Sequence, residues 1–147
     1  MKKIIFVCHG NICRSPAAEY IFKLKIKQLN REDEFLVSSR ATSYEEIGND
    51  IYPPMKRALS SMKIPFSIHA SKRFNKEDYE SADYIFYMDS YNLRNLKNIK
   101  EDVDNKYLPI SHWSEGIYDI EDPWYTDNYI KVINQISKCV EDILKHI

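Results

Sequence analysis

The stretch Ile4-Ile5-Phe6-Val7-Cys8-His9-Gly10-Asn11-Ile12-Cys13-Arg14-Ser15-Pro16, written IIFVCHGNICRSP, decides the fold. Residues 4–8 are apolar, mostly β-branched or aromatic, and too few for a helix, so they predict a central strand buried on both faces. Ser15-Pro16 then predicts a helix start. Serine is a good N-cap, and proline suits the first helical position, where its missing N–H would be unpaired anyway. A strand that turns directly into a helix is the first half of a βαβ unit.

Working outward, Ala18, Ile21, Phe22, Ile26 and Leu29 give that helix one apolar stripe, with lysines between them. Residues 35–39 predict a second strand. A loop follows through Ile47-Gly48-Asn49-Asp50 and Tyr52-Pro53, and Pro54 opens a helix to about Met62. Residues 82–88 predict a third strand, ending at Asp89, where a helix through Leu93 and Leu96 begins. Tyr107-Leu108-Pro109-Ile110 predicts a fourth, at an edge because of its proline. A last helix runs from about Thr126, with Ile133, Ile136, Val140, Ile143 and Ile147 on its core face and Cys139 a buried, inert thiol beside them. Alternating strands and helices predict an α/β fold, a parallel sheet covered by helices on both faces, in one domain over residues 1–147. In such sheets sites form at the carboxyl ends of strands, where Cys8 lies.

Composition narrows the function. With 44% hydrophobic and 29% charged residues the 147-residue chain reads as globular. A net charge of −1 gives no footprint for nucleic acid. No apolar run nears the roughly 18 residues of a membrane span. Met1-Lys2-Lys3 before IIFV imitates a signal peptide, but the apolar stretch is too short and leads into polar HGN. Three cysteines make no disulfide framework and fit a reducing, cytoplasmic setting. Cys8, His9 and Cys13 cluster, yet no further Cys or His pair completes a zinc site, so neither metal nor other cofactor is expected.

The chemistry of residues 8–15 is that of an anion cradle. A strand-to-helix loop turns backbone N–H groups toward a concavity, and the helix adds its positive end. Gly10 permits a tight curl, and Asn11 tolerates a left-handed backbone. Arg14 can grip two phosphate oxygens with its fork. The same field favours a thiolate at Cys8, and a hydrogen bond from Ser15 would add to it. A nucleophile on the floor of a phosphate cradle suits attack on a phosphate monoester through a cysteinyl-phosphate. A Walker-type loop is excluded for want of a second glycine followed by Lys and Ser or Thr. The second half of such a reaction needs a carboxylic acid for the leaving oxygen. Glu115, Asp119, Glu121, Asp122 and Asp127 are all in the right region. Asp122 is favoured by the stiffening Pro123 and the aromatic pair Trp124-Tyr125 after it.

These residues resemble the low-molecular-weight protein tyrosine phosphatase family, whose signature V-C-x-G-N-x-C-R-S-P is matched at every specified position by residues 7–16. Weaker matches run along the chain: Ser39 with Ala41-Thr42, Glu46-Ile47-Gly48-Asn49, Ser67-Ile68-His69-Ala70, Asp83, Met88-Asp89, Asn92-Leu93 and Asp122-Pro123. The resemblance implies a three-layer sandwich around a four-stranded parallel sheet of order 2-1-3-4. It implies hydrolysis of phosphotyrosine in proteins, with Cys8 as nucleophile, Arg14 on the phosphate and Asp122 as general acid. His9, Gly10, Asn11, Ile12, Cys13 and Ser15 complete the phosphate-binding loop, which would also take inorganic phosphate or a similar oxyanion. Asn11, Ser39 and His69 match the network that holds that loop, and Asp89 the partner of Arg14 in an empty site. Ile12, Trp124, Tyr125 and, in the loop after Thr42, Tyr44 would line the substrate cleft. Two positions depart from the pattern: Glu45 stands where the family has an aromatic, and Arg40 where it has a small residue. Cys13, beside a reactive thiol, is a candidate redox partner for Cys8.

Rivals fit less well. Relatives acting on phosphoarginine carry threonine where this chain has Ile12. Thiol-dependent arsenate reductases of the same fold need two cysteines after the third strand, and residues 81–105 contain none. A sugar-transport phosphocarrier lacks the arginine. A non-catalytic phosphotyrosine-binding module would have no need of both Cys8 and Asp122.

Overall fold

The computed structural model describes all residues from Met1 to Ile147. Strand β1, Lys2–Cys8, leads through the 9–13 turn into helix α1, Arg14–Gln28. A single 3-10 turn precedes β2, Phe35–Ala41. Helices α2, Pro53–Ser61, and α3, Lys76–Ser81, bring the chain to β3, Tyr84–Tyr87. After α4, Ser90–Ile99, and the short β4, Tyr107–Pro109, come the one-turn α5, Pro123–Thr126, and the long α6, Tyr129–Leu144.

The four strands form one parallel sheet in the order β2-β1-β3-β4, as expected. β1 is central, and Ile4 to Cys8 are all buried. Its alternation divides the core. Ile4, Phe6 and Cys8 face the larger cluster, built with Ala18, Ile21 and Phe22 of α1 and Ile133, Ile136 and Val140 of α6. Ile5 and Val7 face the other side, with Phe74, Tyr79, Ile85, Leu96 and Tyr107. β1 thus carries buried apolar residues at both parities, which is why it reads as a continuous run, whereas β2 buries only alternate residues. β4 is one of the two edge strands, β2 the other, and Pro109 ends it. No helix is long and apolar enough to cross a membrane.

Several boundaries differ from expectation, each for a local reason. β2 continues to Ala41, paired with Cys8, because Thr42 N–H also bonds the Cys8 carbonyl at 3.0 Å. Ser15 is not an N-cap. The helix starts two residues earlier, Cys13 holds the cap position without a side-chain bond, and the Ser15 hydroxyl turns to the Cys8 sulfur instead. Leu29 lies past the last turn of α1 and is largely exposed. Pro53, not Pro54, opens α2. α3 was not expected from its few apolar residues, yet Asn75 and Asp78 form a reciprocal capping box that defines its start. The last helix begins at Tyr129, since Asp127, with φ of 58°, closes α5 and separates the two.

Candidate active site

The site is built where β1 ends. Residues 9–13 wrap from Cys8 to the amino terminus of α1, and Asn11 takes the left-handed backbone, φ 57°, that the turn requires. Gly10 does not: its φ is not positive, and its role is space. A Cβ there would lie 3.3 Å from Cγ of Glu46, tighter than an easy contact. The Asn11 N–H donates to Cys8 Sγ at 3.3 Å, and Ser15 Oγ lies 3.0 Å from that sulfur. Ser15 Oγ already accepts from Asn11 Nδ2 at 2.8 Å, so its own proton points to an acceptor, and the sulfur at 3.0 Å is nearer than the Arg40 carbonyl at 3.5 Å. Two donors therefore converge on one buried sulfur.

The turn is held from below by a polar network. Asn11 Nδ2 also donates to Ser39 Oγ at 2.9 Å, Ser39 Oγ donates to Glu19 Oε1 at 2.6 Å, and Asn11 Oδ1 accepts from Lys72 N–H. His69 Nε2 meets the Asn11 carbonyl at 2.7 Å, and Ser71 Oγ donates to the Gly10 carbonyl at 2.8 Å. Asn11, Ser39 and His69 were expected here; Glu19 and Ser71 were not. Glu19 reads in sequence as a surface partner of Lys23 four residues on, a pair it does form. Only the fold shows its other oxygen turned inward. Ser71 carries no sequence signal.

Arg14 is buried to 2% exposure and spans the site. Nη1 donates to Asp89 Oδ2 at 2.7 Å and to the Ile120 carbonyl at 2.8 Å, while Nη2 lies 3.5 Å from Asp122 Oδ2. Burial alone would lower its pKa, but the Cys8 sulfur and the Asp89 carboxylate outweigh burial and raise it above the ordinary arginine value. The guanidinium stays charged. Asp89 doubles as the N-cap of α4, which fixes its carboxylate. The contact with the Ile120 carbonyl has no sequence signature.

Asp122 caps α5: its Oδ1 accepts from Trp124 N–H at 3.1 Å, leaving Oδ2 toward Arg14. Above the loop lies a cavity of about 140 Å³, lined by Cys8, Ile12, Arg14, Asp122, Trp124 and Tyr125, with His9 and Glu45 bridged at 2.9 Å on its rim. Ile12 and Trp124 supply apolar walls. Cys13 also reaches the cavity; burial, then the neighbouring Cys8 and Asp122, push its thiol well above the ordinary range, so it is protonated. Tyr44 is the one expected cleft residue that the structure does not bring in. Its ring points away, 71% exposed, with the Arg73 guanidinium 4.1 Å from its centroid. Glu45 and Glu46 take the cavity wall instead.

In chemical terms the arrangement offers a buried sulfur met by one backbone N–H and one hydroxyl, a fixed cation and a carboxyl at the opening. Comparison with known proteins agrees. The profile of the low molecular weight phosphotyrosine protein phosphatase family matches residues 3–147. The human low molecular weight phosphotyrosine protein phosphatase is 39% identical over 98% of this chain and 94% of its own length. The low molecular weight protein-tyrosine-phosphatase PtpA of Staphylococcus aureus is 33% identical over 100% of this chain and 94% of its own. The crystal structure of SP-PTP, from Streptococcus pyogenes, superposes with a TM-score of 0.89 at 36% identity, covering 100% of this chain and 93% of that one. With the signature loop, the sheet order and whole-length similarity all in agreement, the chain belongs to the low molecular weight phosphotyrosine protein phosphatase family.

Proposed function

We propose that the protein hydrolyses phosphotyrosine in protein substrates, and small aryl phosphates, through a cysteinyl-phosphate at Cys8 without a metal ion. The observation that carries this reading is the convergence on one sulfur: the Asn11 N–H and the Ser15 hydroxyl point at Cys8 Sγ, while Arg14 and Asp122 meet 3.5 Å apart at the mouth. The loop amides and Arg14 bind the three non-bridging oxygens. Binding draws the guanidinium from its rest on Asp89 and the Ile120 carbonyl toward the phosphate. Cys8 Sγ attacks phosphorus in line with the ester oxygen, the P–O bond breaks, and the Asp122 carboxyl gives its proton to the leaving phenol. The same carboxylate then takes a proton from water, whose oxygen displaces the sulfur and releases inorganic phosphate. Ser15 stabilises the departing thiolate. Charge gained by the oxygens in each transition state is met by donors already in place.

Ile12 and Trp124, which both line the cavity, suit an aryl ring. Ser39, His69 and Asp89 hold the machinery without touching the reacting atoms, while Asn11 joins that network through its side chain and reaches the Cys8 sulfur with its N–H. A nucleophilic thiol of this kind needs a reducing compartment, the cytoplasm, to stay active.

Turnover of aryl phosphates by the wild type, Cys8→Ser and Asp122→Ala tests this. Cys8→Ser is expected to lose turnover. Asp122→Ala is expected to lose about 10²–10⁴ in kcat/KM with phosphotyrosine, the span of general acid catalysis, and far less with an acidic phenol. Equal loss on both substrates would remove the acid role from Asp122, and turnover by Cys8→Ser would remove the covalent step.

A further inference from the structure

We propose that Tyr52 is a positioning residue for the proton donor: its ring holds Trp124, and through Trp124 the Asp122 carboxyl, in register with the phosphate loop. The proposal rests on the reading of Asp122 as general acid and goes beyond it. Tyr52 lies outside the cavity and touches none of the reacting groups. Its place is fixed from both sides. Its N–H donates to the Ile12 carbonyl, inside the phosphate loop, at 2.9 Å, and its carbonyl accepts the first amides of α2 from Met55 and Lys56. It precedes Pro53 and has φ −57° and ψ 131°, the extended conformation that a following proline enforces. The ring therefore leaves a backbone that is part of the phosphate-loop framework.

That ring packs on Trp124. The centroids are 4.6 Å apart with the planes at 47°, within the range of attractive aromatic pairs. Trp124 needs such a partner, because it is 49% exposed and sits in a four-residue helix with little core of its own. Its backbone N–H is the group that grips Asp122 Oδ1. The far side of the same turn is tied by Glu121 to Lys131 at 2.7 Å and to Asn128 at 3.0 Å. The near side faces the phosphate loop, and the Tyr52–Trp124 stack joins them there. Two loops that must cooperate, one carrying the nucleophile and one the acid, are thus linked by an aromatic pair set beside the reaction. Without the stack the 122–126 turn is free to drift, and a displacement of about 1 Å at a proton donor can cost up to about 10²-fold.

A positioning role predicts a particular signature. Proton donation matters in proportion to how poor the leaving group is, so Tyr52 should matter in the same proportion. The test measures kcat/KM across aryl phosphates whose phenols range from weakly to strongly acidic, for the wild type, Tyr52→Leu, Tyr52→Phe and Asp122→Ala. Tyr52→Leu is expected to fall about tenfold with the least acidic phenol and under about twofold with the most acidic, a partial copy of the Asp122→Ala pattern. Tyr52→Phe, which keeps the ring, is expected to match the wild type throughout. A uniform fall across the series, wild-type values for Tyr52→Leu, or a Tyr52→Phe variant as impaired as Tyr52→Leu would each overturn the proposal. If Asp122→Ala shows the leaving-group dependence and Tyr52→Leu does not, the positioning role fails while the acid assignment stands. If Asp122→Ala shows none, the acid assignment itself has failed, and the proposal with it. Urea unfolding checks that each variant folds cooperatively. Should Tyr52→Leu not, Tyr52→Gln, which also lacks a ring, takes its place with the same outcomes.

Discussion

Replacing Asn11 probes how the phosphate loop keeps its shape. Its side chain makes three hydrogen bonds, buried ones to Ser15 Oγ and Ser39 Oγ and a partly buried one from Lys72 N–H, and its backbone sits at φ 57°. Ser39 keeps Glu19 as a partner, and Ser15 keeps the Cys8 sulfur. Losing Asn11 therefore removes two ordinary hydrogen bonds, about 1 kcal/mol each, and orphans the Lys72 N–H at about 1–3 kcal/mol. Alanine adds a left-handed penalty of about 1–2 kcal/mol, which glycine escapes. Asn11→Gly should thus cost about 4 kcal/mol and Asn11→Ala about 5, a large part of the roughly 5–15 kcal/mol that holds a typical domain together. Urea unfolding of the three proteins, followed by far-UV circular dichroism, separates the contributions. The Ala–Gly difference reports the backbone, and the Gly–wild-type difference reports the network. If Asn11→Gly is as stable as the wild type, the network holds nothing and the loop is shaped by its backbone alone.

Other expectations concern particular side chains. Asp142 on α6 accepts from Ser114 Oγ at 2.7 Å and from Lys138 Nζ at 3.1 Å, and the Ser114 bond first, then Lys138, holds its carboxyl below the ordinary value. Its contribution to stability is therefore fully present above the unfolded pKa of about 3.9 and disappears as the pH falls through the lower folded value. Asp142→Asn should lower the urea midpoint at pH 7, by about 1 kcal/mol in stability, and converge on the wild type in strong acid; a constant difference across that range would contradict it. Peroxide should inactivate the enzyme and a thiol reductant restore it. Cys13→Ser should recover less fully, and equal recovery would remove Cys13 as the protecting partner of Cys8. Tyr44→Ala should leave kcat/KM within about twofold and stability within about 0.5 kcal/mol, since its ring serves Arg73 rather than the cleft; a loss of aryl phosphate binding would return it to the site.

How far the sequence discloses the molecule depends on the range of the forces involved. β1 and the loop after it are legible because local rules coincide there: an apolar run, a residue suited to a left-handed turn, and a proline just inside a helix. Cys8, Asn11, Arg14 and Ser15 lie within eight residues of one another, so their meeting follows from one turn of chain. Asp122 lies over 100 residues further on, and its proximity to Arg14 is a product of sheet order. Residue type and neighbours narrow the acid to a handful; the family pattern selects one. Glu19 and Ser71 escape notice because their partners, Ser39 and Gly10, are 20 and 61 residues away. Tyr44 shows the converse. An aromatic in a loop of suitable position suggests a cleft wall, but a one-residue offset turns it outward onto Arg73, and Glu45 bridges to His9 on the rim. Ser15 is a similar case, since a good capping residue was present and the sulfur outcompeted the helix for its hydroxyl.

The central claim is that phosphorus passes through the sulfur of Cys8. Rapid acid quench during the first turnover of an aryl phosphate with an acidic phenol, followed by peptide mass spectrometry, tests it most directly. A phosphoryl group on the peptide bearing Cys8 is predicted, transient in the wild type and accumulating in Asp122→Ala, where the attacking water lacks its base. Free phosphate formed with no phosphorylated peptide, or the label on a different side chain such as His9, would contradict it.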